Sequence, residues 1–161
     1  MNSISTNITY KEATKSNEAI RLGLSNDPNP EQLANMKLVA EKIFQPLREH
    51  FGVSIGISSF FRSPEVNQAI GGAKASQHMT GQAIDIDADI YNKTLKDGTL
   101  LTNKMIFDYI VKNLDYDTII WEFGSTENPA WVHVSYVKGN NRKRKLRAYK
   151  DNKRQTHYVP Y

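Results

Sequence analysis

In the segment SQHMTGQAID, residues 76–85, a histidine and an aspartate stand seven positions apart with a glycine between them. Fully extended, that span reaches about 23 Å. Two ligands of one zinc ion lie only roughly 3 to 3.5 Å apart, given metal bonds near 2.0 to 2.1 Å and tetrahedral angles. The chain must therefore fold back after His78 for the two side chains to share a cation, and Gly81 permits that bend. Taken alone, the pair is equally an ordinary loop histidine and a turn aspartate. A second histidine shifts the balance: in WVHVSY, residues 131–136, His133 shares a strand face with Trp131 and Ser135, at a position where a core would hold Val or Ile. His78, Asp85 and His133 together make a three-ligand set with an open fourth position, the pattern of catalytic rather than structural zinc.

Such a set supports amide hydrolysis by water activated at the metal, assisted by a carboxylate that accepts the water's proton. Pairing Phe123 with Val132 across the hairpin sets Glu122 directly opposite His133, with Cβ atoms about 4.5 to 5.5 Å apart. Glu122 is thus the expected general base. Glu127, in the loop six residues before His133, is the second choice, because a strand holds geometry better than a loop. Arg62, at a strand-to-helix junction in SSFFRSPEVN, residues 58–67, is expected either to stabilise the oxyanion or to hold a substrate carboxylate through a bidentate contact. His50 ends an amphipathic helix, where a cation meets the dipole favourably, and His157 lies in a polar tail. Both are read as incidental.

The elements that must position these groups follow from periodicity and caps. Ser16 caps a short helix that Gly23 closes, and SNDPNP is a turn. Asn29 caps and Pro30 opens a longer helix in which Leu33, Met36, Ala40, Ile43 and Leu47 recur at helical spacing, with a kink at Pro46. VSIGISS reads as a half-buried strand and SPEVNQAI as a short helix stopped by Gly71 and Gly72. AIDID is a strand that turns Ile84 and Ile86 into the core and Asp85 and Asp87 to the accessible side. Thr102 caps the helix NKMIFDYIVKNL, and TIIWEF with WVHVSYV makes a hairpin around GSTENPA. Helices come first and strands cluster later. The expected class is α+β, with a helical N-terminal half packed on a small antiparallel sheet that carries the zinc site.

Composition bounds the rest. A chain of 161 residues, 39% hydrophobic and 24% charged, is one globular domain's worth. The absence of cysteine leaves chemistry to oxygen and nitrogen. No apolar run approaches the roughly 20 residues of a membrane helix, and the N-terminal segment has neither a basic nor an apolar leader region. A soluble chain without a signal peptide is expected. The net charge of +4 is carried by the end: from Lys138 on, nine Lys and Arg stand against one Asp. A basic tail of this kind suits either attraction to a polyanion or a solvated terminal arm. Tyr149, Tyr158 and Tyr161 interleave with its basic residues, as stacking on bases would require, but a basic arm alone is not enough to expect a nucleic-acid partner.

Together the motifs resemble the zinc D-alanyl-D-alanine carboxypeptidase family, whose hedgehog/DD-peptidase fold is shared with vancomycin-resistance D,D-dipeptidases and the hedgehog signalling domain. SSFFRSPEVNQAIGG is similar to its Arg-bearing segment, SQHMTGQAIDI to its Ser-x-His-x-x-Gly-x-Ala-x-Asp signature, and WEF with WVHVSY to its closing strands. The resemblance covers most of the chain. It implies zinc on His78, Asp85 and His133, Glu122 as base, and substrate contacts from Arg62, Ser76, Asn67 and Trp131. Many members carry the acid three residues before the last zinc histidine, where this chain has Ala130; others place it at the end of the preceding strand, as Glu122 stands here. Trp131 occupies a position where some members have a further histidine.

The implied substrate is a peptidoglycan stem peptide, cut at D-Ala-D-Ala or at an internal bond such as L-Ala to D-Glu. The implied setting is a phage lysin released through a membrane pore, or a cytoplasmic dipeptidase. Residues 1–137 are read as the zinc peptidase domain and 138–161 as its basic extension, in a chain expected to be monomeric. The alternative is a non-catalytic zinc-bearing wall-binding or virion protein.

Overall fold

The computed structural model describes residues 2–161. A short ribbon of β1 (Ser3–Ser5) and β2 (Ile8–Thr9) leads into α1 (Tyr10–Ala13) and α2 (Asn17–Leu22). Next come α3 (Pro30–Val39), α4 (Gln45–Phe51), β3 (Gly56–Ser59), α5 (Pro64–Ala69) and β4 (Ala83–Asp87). The second half holds α6 (Asn103–Asn113), β5 (Thr118–Glu122), β6 (Trp131–Ser135), β7 (Arg144–Lys150) and β8 (Thr156–Pro160).

The caps act where the sequence places them. Ser16 Oγ accepts the Ala19 N–H, Ser63 Oγ that of Val66 and Thr102 Oγ1 that of Met105. At Asn29 the cap is reciprocal: its Oδ1 accepts the Gln32 N–H at 2.8 Å, and Gln32 Oε1 accepts the Asn29 N–H at 2.8 Å. Between α3 and α4 the helix widens over Ala40–Phe44, so that the Gln45 N–H reaches back five residues to the Ala40 carbonyl. Pro46 supplies no N–H, and its ring crowds the carbonyl four residues earlier. The expected kink is therefore a π-helical bulge just ahead of the proline.

Six strands form one sheet in the order β3-β4-β6-β5-β7-β8. One face is apolar: Ile84, Ile86, Ile119, Trp121, Val132 and Val134 are each 1% exposed or less. α3 packs against β4, and α6 against β5 and β6. Met36, Val39, Ile106 and Ile110 fill the space between. Strand residues of the opposite parity, among them Asp85, Ile120, Glu122 and His133, project from the other face. Fully buried Asn103 ties the layers: its Oδ1 accepts the Ala88 N–H, and its Nδ2 donates to Asp87 Oδ1 and to the Pro129 and Ala130 carbonyls.

The α+β class holds, but two features of the expected architecture differ. The N-terminal half is not simply helical, since the β1–β2 ribbon and β3 interrupt it. The sheet is mixed rather than antiparallel, because β7 pairs parallel to β5, with Thr118 opposite Arg144 and Glu122 opposite Ala148. After β6 the chain crosses the start of β5 and is caught there. Lys143 N–H bonds the Tyr116 carbonyl, Arg144 N–H the Asp117 carbonyl, and the Arg142 guanidinium clasps the Asp117 carboxylate through Nε at 2.9 Å and Nη2 at 2.7 Å. The basic tail is thus built into the sheet as β7 and β8 instead of hanging free.

The reversal after His78 takes place at Gly81, whose φ is 77° and where a Cβ would collide with the Gln32 carbonyl oxygen. Gly81→Ala is expected to lose about 1–3 kcal/mol of stability. A lower urea midpoint at unchanged slope would report it.

Candidate metal centre and its cleft

His78 lies in a 3-10 turn, Gln77–Thr80, capped by Ser76, whose Oγ accepts the His78 N–H at 3.3 Å. The turn is tied on two sides. Gln77 Nε2 donates to Asp117 Oδ2 at 3.0 Å, and the Arg62 N–H donates to the His78 carbonyl at 3.2 Å. His78 Nδ1 stands 2.7 Å from the Phe60 carbonyl oxygen. A carbonyl only accepts, so Nδ1 carries a proton, and Nε2 is the ring nitrogen turned inward.

Asp85 sits mid-strand in β4, directly across from His133 in β6, while its neighbours Ile84 and Ile86 anchor the other face. Asp85 Oδ2 is 3.2 Å from His78 Nε2, and Oδ1 is 3.0 Å from His133 Nδ1. The two imidazole rings meet edge to face with centroids 5.1 Å apart. One ligand atom from each of the three residues falls within 4.8 Å of the others, so the group could hold a metal ion. The chemistry of the donors favours it. His78 Nε2 and Asp85 Oδ2 both carry lone pairs, and a contact at 3.2 Å needs a proton or a cation between them. Burial alone would raise the Asp85 carboxyl, yet the flanking imidazoles outweigh burial and hold it well below the usual carboxylate range. For His133 the atom that meets Asp85 is Nδ1.

Glu122 stands two residues out of the expected register. Trp131 faces it across the hairpin, and His133 faces Ile120. A shift of two preserves the side-chain face, so Glu122 remains on His133's side of the sheet as a diagonal neighbour, at about 7–8 Å instead of 4.5–5.5 Å. Glu122 is only 6% exposed. Burial pushes its pKa up to about 7; His133 opposes the shift and the charge on Asp85 adds to it. Such a group exchanges a proton readily near neutrality.

The remaining expected residues divide by role. Arg62 reaches the cleft, with Nη1 donating to Asn67 Oδ1 at 3.0 Å. Asn67 is 3% exposed and also donates to the Ala73 carbonyl, so it supports the arginine from behind. Gly72 has to be glycine, because a Cβ there would run into the Asn67 amide. Ser76 and Trp131 both line the cleft, although the Ser76 hydroxyl is engaged as a cap. Glu127 lies exposed in the β5–β6 loop, outside the cleft lining. His50 stacks on Tyr109 with centroids 4.0 Å apart, and His157 pairs with Asp151 at 2.7 Å.

The cleft has a volume of about 850 Å³ and a wall that sequence reasoning missed: Arg142, Arg144, Leu146, Thr156 and Tyr158, all from the basic tail. Alternation does not reveal β7, because RKLRAYK is charged on both faces and buries only Ala148. The available signal was the turn DNKR between β-forming Tyr149 and Tyr158, where Asp151 Oδ1 accepts the N–H groups of Lys153 and Gln155.

No helix among the described residues is long and apolar enough to cross a membrane. Comparison with curated proteins finds no match. The family model described as Peptidase M15 matches residues 6–135, which takes in β2 to β6 and all three members of the His-Asp-His cluster. The chain therefore belongs to the M15 peptidases, a metallopeptidase family of zinc D-Ala-D-Ala carboxypeptidase type.

Proposed function

We propose that the chain is a zinc peptidase that hydrolyses peptidoglycan stem peptides, with His78, Asp85 and His133 holding the metal and Glu122 as general base. The observation that carries the reading is a buried carboxyl, poised near pH 7, on the same sheet face and in the same cleft as a His-Asp-His cluster. Zinc held there supplies Lewis acidity, polarising the scissile carbonyl and making water acidic enough to deprotonate near pH 7. Glu122 would take a proton from the attacking water and return it to the leaving amine. Arg62, kept in place by Asn67, meets the developing oxyanion or a substrate carboxylate. Trp131, opposite Glu122, bounds the cleft on one side.

The test is digestion of purified muropeptides by the zinc-loaded protein, read by mass spectrometry. Loss of a terminal D-Ala marks a carboxypeptidase, and two new fragments mark an endopeptidase. Unchanged muropeptides that nonetheless co-sediment with the protein would replace this reading with wall binding.

A further inference from the structure

Across the sheet, four residues fall in one row: Trp131 on β6 faces Glu122 on β5, Glu122 faces Ala148 on β7, and Ala148 faces Tyr158 on β8. Residues directly in register project to the same side, so Glu122 and Tyr158 rise from one face with a single methyl group between them. Adjacent strands lie about 4.8 Å apart. Ala148 is fully buried, and any larger side chain there would fill the space between the two. Tyr158 lines the same cleft as His78, Asp85, Glu122 and His133.

The strand that presents it is firmly seated. At its end Tyr161 packs on Trp121 and Phe107, with centroids 5.4 and 5.7 Å apart. On the far face of the hairpin His157 stacks on Tyr149 at 5.2 Å. The Tyr158 hydroxyl has no hydrogen-bond partner among the described residues. Burial raises its pKa, and the charges on Glu122 and Asp85 raise it further. It therefore stays a phenol, able to donate. β8 lies beyond residue 135, outside the segment that the family model matches.

We propose that Tyr158 is a further catalytic residue of this cleft, its phenolic O–H donating a hydrogen bond to the anionic oxygen that develops on the scissile carbonyl. The assignment rests on the peptidase reading. As water adds, a C–O bond forms and its proton passes to Glu122; as the C–N bond breaks, that proton passes to the leaving nitrogen. Tyr158 keeps its own proton throughout and contributes only the hydrogen bond.

The experiment compares full-length, zinc-loaded Tyr158→Phe with the parent, with Glu122→Gln and with Tyr149→Phe as a control from the opposite face. Tyr158→Phe is expected to lose on the order of 10- to 100-fold in kcat with little change in KM, at parental zinc content. Its affinity for a phosphinate peptide, whose tetrahedral anion imitates the developing oxygen, should fall by a similar factor, while affinity for the product peptide is kept. Tyr149→Phe should match the parent.

A Tyr158→Phe protein with parental kcat and parental phosphinate affinity, beside an inactive Glu122→Gln, overturns the role of Tyr158 and leaves the peptidase reading standing. A parent that holds zinc but neither cleaves stem peptides nor binds the phosphinate overturns both.

Discussion

Glu122→Gln is expected to abolish measurable hydrolysis, a fall of at least 10²- to 10⁴-fold in kcat, while zinc stoichiometry stays at the parental value. The amide keeps the shape of the carboxyl and can still donate a hydrogen bond, but it cannot accept a proton. Retained metal with lost turnover separates a base from a ligand.

The same substitution has a second, metal-free signature. The folded pKa of about 7 lies above the ordinary 4.5, so protonated Glu122 suits the fold and ionised Glu122 opposes it. The associated stability is fully present below about pH 4.5 and is lost as pH rises through about 7. Removing the charge should therefore make the metal-free variant more stable than the parent at pH 8, by up to about 3 kcal/mol, with the two converging below pH 4.5. Urea midpoints across that range would check it. In the zinc-loaded protein a nearby cation favours the carboxylate, so the acidic limb of kcat/KM should fall below pH 7.

How much of this was legible beforehand depends on the length scale of each signal. Local signals carried the three-residue cluster: a bend at Gly81 and alternation in AIDID and WVHVSY foreshadowed the meeting of His78, Asp85 and His133, whereas the cap at Ser76 emerged only in the structure. Register was not local. Slipping β5 against β6 by two residues leaves every apolar side chain on its own face, so burial could not decide between the alternatives. The left-handed backbone at Phe123 and Gly124, with φ of 56° and 68°, ends β5 at Glu122 and fixes the choice. The Nδ1 face of His133 was equally hidden, since ring orientation depends on contacts and not on strand parity.

The tail illustrates the opposite limit. β7 is a strand because of its neighbours: β5 offers an edge, and the almost fully buried Asp117 offers Arg142 and Arg144 an anchor. The Arg142 guanidinium holds that carboxylate well below its usual range. None of this is written in the periodicity of RKLRAYK. A segment that reads as a charged arm thereby becomes one wall of the cleft.

Asp85→Asn should sort the fold from the metal. Its carboxylate is the one formal negative charge in the cluster, shared between His78 Nε2 at 3.2 Å and His133 Nδ1 at 3.0 Å. An asparagine of the same shape can donate its amide N–H to the lone pair of His78 and accept from His133, so the metal-free chain keeps its internal hydrogen bonds. Metal-free stability at pH 7 is nonetheless expected to fall, because the variant lacks the stabilisation that the depressed Asp85 carboxyl supplies above its ordinary pKa. Zinc affinity should collapse by more than the roughly 10- to 100-fold that loss of a supporting contact costs.

Stability then becomes a gauge of binding. At a zinc concentration 100 times the parental Kd the parent gains about 2.7 kcal/mol, and a variant bound 100-fold more weakly gains under about 0.5. Acid sensitivity should change as well. The folded pKa of Asp85 lies below the ordinary 3.8, so its stabilising effect is present above that value and is lost as pH falls toward the folded pKa; the variant should lack this loss. Competition against a chromophoric chelator, beside urea melts with and without zinc, measures both quantities. An Asp85→Asn protein that held zinc at parental affinity would place the cation somewhere other than between these two histidines.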